Sequence, residues 1–336
     1  MRYTYATAFA ALAAAAPVAE KRASGITDAI ILNYALTLEH LEDTFYKQGL
    51  ANYTEADFVA AGVNPGFYNN LKEISSDEET HVSFLTSALS AAGAVPVEAC
   101  TYDFGATDAA TFLAIANVLE GVGVSAYLGA AQYIMNKDYL TAAGSILTVE
   151  SRHNAFIREN QTPKQSPFPS AFDIPLDFDE VFSLAAPFIV TCPQGKEGSL
   201  GLPVKAFPAL TVTAPAGTVA SGAQLTIKVA SGAAAATNAW FITSSGAVAA
   251  PLSGDIVTVP ADAPKGQSYL VLTKNANTPT DDNISAGPAV IMIADNDAGQ
   301  STSTASTASG SSYGTYSNYG TYPKLSQYGS YGKYSS

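Results

Sequence analysis

The feature that most restricts this chain is a pattern of polar residues repeated twice within segments otherwise poor in charge. "NYALTLEHLEDTFY" places Glu39 seven residues before Tyr46, and "SSDEETHVSFL" places Glu78 three before His81. "NVLEGVGVSAYLGAA" then places Glu120 seven residues before Tyr127, and "LTVESRHNAF" places Glu150 three before His153. On an α-helix both spacings return a side chain to the same face. The chain therefore reads as an internal duplication of a helical pair.

Apolar periodicity predicts four long helices, over residues 27–48, 65–92, 108–136 and 138–160. Thr27 or Asp28 can cap the first, and Gly49 reads as its stop. The link between the second and third, "GAVPVEACTYDFGAT", is broken by Pro96. Extended, it reaches about 45–50 Å, whereas a helix of about 26 residues is only about 39 Å long. It can cross the whole bundle, which leaves the second and third helices parallel in a ferritin-like topology.

The third helix carries one charged residue, Glu120, between Asp108 and Lys137. A bare carboxylate at the centre of so apolar a segment is too costly without a cation or a proton. Folding the four helices together brings Glu39, Glu78, Glu120 and Glu150 onto His81 and His153, the ligand set of di-iron and di-manganese bundles. Oxygen donors with one imidazole per metal suit two iron or manganese ions, and the absence of thiolate motifs disfavours a soft metal. Tyr46 and Tyr127 are placed to donate hydrogen bonds to ligating carboxylates. His40 points about 100° away from Glu39 and reads as a surface or interface residue. Glu42 and Asp43 are alternative ligands or supports, but their counterparts in the second half are Gly123 and Val124, which favours Glu39. The bland alternative is an ancestral site kept as a protonated polar network.

The rest of the chain divides by composition. Residues 1–22 read as a signal peptide ending in a dibasic Lys21-Arg22 pro-segment, with an apolar run too short to serve comfortably as a transmembrane segment. The bundle occupies 26–160, and 161–203 form a wrapping connector rich in Pro and Phe. From 204 to 297 the apolar period becomes two, predicting a small all-β sandwich, immunoglobulin-like in its strand spacing. Trp240 reads as core there. Residues 298–336, rich in Ser and Thr and then in Tyr and Gly, read as a disordered tail able to attach to cell-wall polymers. The expected class is thus α+β and multidomain. Cys100 and Cys192 are an even pair and read as one disulfide, and Asn52, Asn160 and Asn283 stand in glycosylation sequons. With 29 acidic against 16 basic residues, a nucleic-acid or anionic-membrane surface is disfavoured.

"ILNYALTLEHLEDTFY", "HVSFLTSALSAAGAVPVEACTYDF", "NVLEGVGVSAYLGAA" and "YLTAAGSILTVESRHNAFIR" resemble the ferritin-like domain of secreted fungal proteins related to stress-response proteins and to plant desiccation-related proteins. The resemblance covers about residues 26–160. It implies a ferritin-like fold with a potential dinuclear metal centre, whose six matching ligand positions are all occupied here. The expected function is a secreted metal-binding protein, extracellular or in the cell wall, acting as an oxidase or as a stress protein that handles dioxygen or peroxide. The alternative is a structural or adhesive wall protein with a metal-free or vestigial site.

Overall fold

The computed structural model describes residues 26–193, 204–214 and 219–294. The expected signal and pro-segment, and the tail from 298, lie outside the described residues.

Four long helices form the bundle: α1 (Asp28–Asn52), α3 (Phe67–Ala91), α4 (Ala109–Ala131) and α5 (Lys137–Asn160), with a short α2 (Glu55–Ala60) between the first two. Thr27 caps α1, its side chain accepting from Ile30 N at 3.3 Å. Asp28 instead accepts from Met135 N and Asn136 N, both at 2.9 Å, so it satisfies backbone donors just beyond α4, which stops at Ala131 and not at the expected 136. Gly49 does not stop α1. A Cβ there would lie 2.1 Å from Phe112 Cε2, so the glycine admits a neighbouring ring and the helix runs on to Asn52.

Helix directions follow from contacts at the ends. Asn33, near the start of α1, donates to Val95 O and accepts from Val97 N just past the end of α3, so those helices are antiparallel. Asp28 at the start of α1 meets the end of α4, and Tyr53 just past the end of α1 donates to Ala106 O just before α4. Hence α3 and α4 are parallel, and residues 92–108 make the long crossover. A two-residue strand in that crossover, β1 (Thr101–Tyr102), pairs with β2 (Ile189–Thr191), which follows α6 (Phe178–Ala185) and a 3-10 turn. Cys100 and Cys192 are disulfide-bonded beside this ladder and tie the crossover to the connector.

Two four-stranded antiparallel sheets follow the bundle. One has the order β10 (Ile284–Ile293), β9 (Gly266–Thr273), β5 (Asn238–Thr243), β6 (Gly246–Ala250); the other has β3 (Leu210–Thr213), β4 (Gln224–Val229), β8 (Ile256–Thr258), β7 (Leu252–Ser253). The period of two sorts β9 and β5 of the first sheet between two cores. Tyr269 and Val271 of β9 and Ile242 of β5 join the helical core. Leu270, Leu272 and Phe241 join an apolar core shared with Leu225 and Val257 of the second sheet. Trp240 is partly buried against the helical core, its Nε1 donating to Thr273 Oγ1 at 2.9 Å.

This layering accounts for the composition of α4, which among the described residues is the helix long and apolar enough to cross a membrane. Its faces meet α5 and α1 within the bundle, α6, and β9, where Tyr269 Oη donates to Gly121 O at 3.0 Å and Gln267 Nε2 to Val118 O at 3.1 Å. A helix contacted on so many sides has no face left to be charged. At Gly129 the contact is with backbone: an added Cβ would lie 1.8 Å from Leu176 O, and Leu176 N donates to Ser125 O at 3.2 Å. Gly129→Ala is therefore expected to destabilise the chain by about 2 kcal/mol, because a backbone carbonyl must move. In thermal unfolding this appears as a fall of roughly 5 °C; an unchanged midpoint would show that the connector is not seated on α4.

Of the three sequons, Asn52 is exposed and Asn160 half-buried. Asn283 is 7% exposed and its amide nitrogen donates to Asn277 O and Thr278 O. That nitrogen thus closes a turn in the fold.

Candidate metal centre

Each long helix turns one stripe of polar residues inward: Glu39, Glu42 and Tyr46 from α1, Glu78 and His81 from α3, Glu120 and Tyr127 from α4, Glu150 and His153 from α5. The six expected ligands come together at the bundle centre. Glu39, Glu78, Glu120 and Glu150 are completely buried, and His81 and His153 nearly so.

The cluster divides into two overlapping groups, Glu39, Glu78, His81, Glu150 and Glu78, Glu120, Glu150, His153, each with ligand atoms within 4.8 Å of one another. That is close to the span across one ion with bonds of about 2.1 Å. Glu78 and Glu150 belong to both groups, while Glu39 with His81 and Glu120 with His153 are each confined to one. His81 Nδ1 lies 3.1 Å from Glu39 Oε2, 3.1 Å from Glu78 Oε2 and 3.3 Å from Glu150 Oε1. His153 Nδ1 lies 2.9 Å from Glu78 Oε1 and 3.5 Å from Glu120 Oε2. Several of these close approaches are not hydrogen bonds. Glu78 Oε1, Glu120 Oε2, both oxygens of Glu150 and His153 Nδ1 are buried without a hydrogen-bond partner. Buried polar atoms are rarely left so, and donor atoms crowded together without bonding one another are what a bound cation satisfies.

The tyrosines tie the two halves together. Tyr46 Oη donates to Glu120 Oε1, and Tyr127 Oη donates to Glu39 Oε1. Each therefore serves the glutamate of the opposite repeat and not the one seven residues before it on its own helix. Burial first, and then the facing carboxylate, pushes both phenols well above their usual pKa, so they stay protonated as donors.

Electrostatically the metal-free cluster is overloaded with acid. Burial pushes Glu78 up to about 7 against the opposing pull of His153 and His81. Glu150 is raised further, by burial and then by Glu78. Burial alone would lower both histidines, but the carboxylates facing them more than reverse this: Glu150, Glu39 and Glu78 around His81, and Glu120, Asp77 and Glu78 around His153. Both imidazoles are held protonated above their ordinary range.

Two residues beyond the expected ligands matter. Glu42 is 3% exposed, its Oε2 lacks a partner, and burial followed by Glu150 raises its pKa well above the usual. Gly123 on α4 makes room for it: a Cβ there would lie 3.0 Å from Glu42 Oε1 and 3.1 Å from Glu150 Oε2. The glycine that made Glu42 look unmatched in the repeat is the reason a fifth carboxylate fits. Asp77 lies 3.1 Å from His153 Nε2, the outer contact that orients a ligating imidazole. No spacing rule points to it, because it stands one residue before Glu78 and so off the inward stripe. Asp43 turns outward to Lys47 at 3.0 Å, and the His40 ring meets Val97 O at 3.1 Å, clear of the cluster.

Residues 27–162 match the family model of the ferritin-like domain, and all ten inward or supporting residues described above fall within them. Protein rds1 of Schizosaccharomyces pombe (strain 972 / ATCC 24843) is 28% identical over 187 residues, covering 55% of this chain and 44% of that protein. The chain thus spans less than half the length of that relative. The duplicated carboxylate and histidine pattern, the parallel α3 and α4 joined by a long crossover, and the family match agree: residues 27–162 of this chain are a ferritin-like domain.

Proposed function

We propose that the bundle holds a dinuclear iron or manganese centre and that the protein is a secreted oxidase or oxygen- and peroxide-handling stress protein. The observation that carries the metal reading is the pair of overlapping four-residue groups sharing Glu78 and Glu150. Glu39 with His81 would hold one ion, Glu120 with His153 the other, and Glu78 with Glu150 both. Four carboxylates balance two divalent ions, and Glu42 adds a fifth negative charge, which calls for a retained proton or a higher metal charge. When bound, such a pair of ions supplies Lewis acidity and, for iron or manganese, electrons for dioxygen or peroxide. The chain's own residues supply the rest. Tyr46 and Tyr127 orient Glu120 and Glu39, Asp77 orients His153, and the apolar walls of α1 and α4 exclude water.

The absence of thiolates and the predominance of carboxylates favour iron or manganese over zinc or copper. Secretion is supported by the composition of residues 1–22 and by the Cys100–Cys192 disulfide, and wall attachment by the Tyr-rich tail alone. The immunoglobulin-like reading of the two sheets rests on their shared core. Full-length chain reconstituted anaerobically with ferrous or manganous ion is expected to retain about two equivalents after desalting, measured by elemental analysis. Retention below about 0.2 equivalents of either metal would sink the reading.

A further inference from the structure

A cavity of about 330 Å³ lies between α4, α5, β9 and the 167–174 segment of the connector, at the small end of the range for small-molecule sites. Its charge is opposite to that of the chain. Arg152, Arg158 and Lys265 line it against a single acid, Asp173, in a sequence whose net charge is -13.

Arg158 is the centre of this arrangement. It is 3% exposed, its Nε donates to Ser166 O at 2.7 Å, and its Nη1 lies 3.9 Å from Met292 Sδ. Neither of those partners carries charge, and the acid that acts on it, Asp173 on the same cavity wall, offsets only part of the burial. A guanidinium keeps its proton even when buried, and a buried charge is costly until it is paired. Its planar fork fits a carboxylate in two parallel bonds. Gly266 leaves the space in which Pro169 of the cavity wall sits: a Cβ there would lie 2.5 Å from Pro169, while Arg158 Nη2, at 3.5 Å, would be in ordinary contact.

The mouth has the opposite character. Phe168 and Phe172 line the cavity and are 80% and 62% exposed. Large apolar side chains grouped in water at the edge of a cavity mark a surface that a ligand covers. Tyr269 adds a third ring from β9, with its hydroxyl fixed by Ser125 and Gly121.

We propose that this cavity is a binding site for a small organic acid with a flat aromatic body, its carboxylate on Arg158 and its ring against Phe168 and Phe172. The site is built jointly by the bundle and the first sheet, which gives the β region a role in binding. It uses none of the metal-centre residues and holds whether or not the bundle carries metal.

Benzoate titrated into the full chain and followed by calorimetry is expected to bind one equivalent with a Kd of about 0.1–1 mM, the weak affinity open to a ligand of its size. Arg158→Gln weakens this by about tenfold or more, as loss of a charge-assisted pair requires. Phe168→Ala/Phe172→Ala, at exposed positions where folding is not at stake, weakens it by about fivefold. Benzyl alcohol, matched in shape but neutral, binds about tenfold more weakly than benzoate. Should Arg158→Gln fail to fold, the phenylalanine variant and the benzyl alcohol comparison carry the test without it. The proposal is overturned by any of four results: no saturable benzoate binding, equal affinity for benzyl alcohol, inorganic phosphate binding as tightly as benzoate, or unchanged affinity in the phenylalanine variant.

Discussion

Glu150→Ala is expected to remove both metal ions from the bundle, whereas Glu120→Ala removes only one. Glu150 belongs to both groups of ligand atoms, and neither of its oxygens has a hydrogen-bond partner. Glu120 belongs to one group, and its Oε1 already accepts from Tyr46. Elemental analysis after anaerobic reconstitution should therefore give about two equivalents for the native chain, about one for Glu120→Ala and almost none for Glu150→Ala. Equal retention by the two variants would show that Glu150 is not shared. Misfolding is not the expected cause of the loss. Burial and the neighbouring Glu78 disfavour the Glu150 carboxylate while His81 favours it, so the two effects of its removal oppose each other in the metal-free chain. The thermal midpoint of metal-free Glu150→Ala should therefore stay close to that of the metal-free native chain.

The second large effect is on stability against pH. Glu78 is raised from 4.5 to about 7 in the folded chain, so across that interval the folded state holds a proton that the unfolded state has released. Its contribution is complete below pH 4.5 and is lost as pH rises toward 7, a cost on the order of 3 kcal/mol at neutral pH. Glu150 and Glu42 shift in the same direction. The raised histidines act with the same sign: their stabilisation is complete below 6.5 and falls as pH climbs above it. The metal-free chain should thus be more stable in mild acid than at neutral pH. Metal replaces those protons, so the loaded chain gains over the metal-free one as pH rises. Calorimetry of both forms across this range checks the prediction. A metal-free chain whose midpoint climbs steadily to neutral pH would contradict it, and Glu78→Gln/Glu150→Gln should flatten the profile.

Much of the bundle was legible in one dimension because helical geometry is local. Spacings of three and seven assign faces without knowledge of the neighbours. A single glutamate in an apolar segment announces a buried charge wherever the segment packs. The length of the link between the second and third helices limited their relative direction, because the chain has a fixed reach per residue. Local signals misled where a residue answers to a distant partner. Gly49 reads as a stop but makes room for Phe112.

By itself, then, the sequence determined the helices, their inward stripes and the six-residue Glu and His set, since each follows from spacing along one chain. Only the tertiary structure decided how those residues are shared. It made Glu78 and Glu150 common to both groups, crossed each tyrosine to the opposite repeat, seated Glu42 in the space at Gly123 and set Asp77 behind His153. It also laid β9 against α4 and so formed the cavity around Arg158. These are relations between side chains on different elements, and they depend on how far apart the backbones settle once the core has packed. Intrinsic spacing along the chain carries no record of that distance.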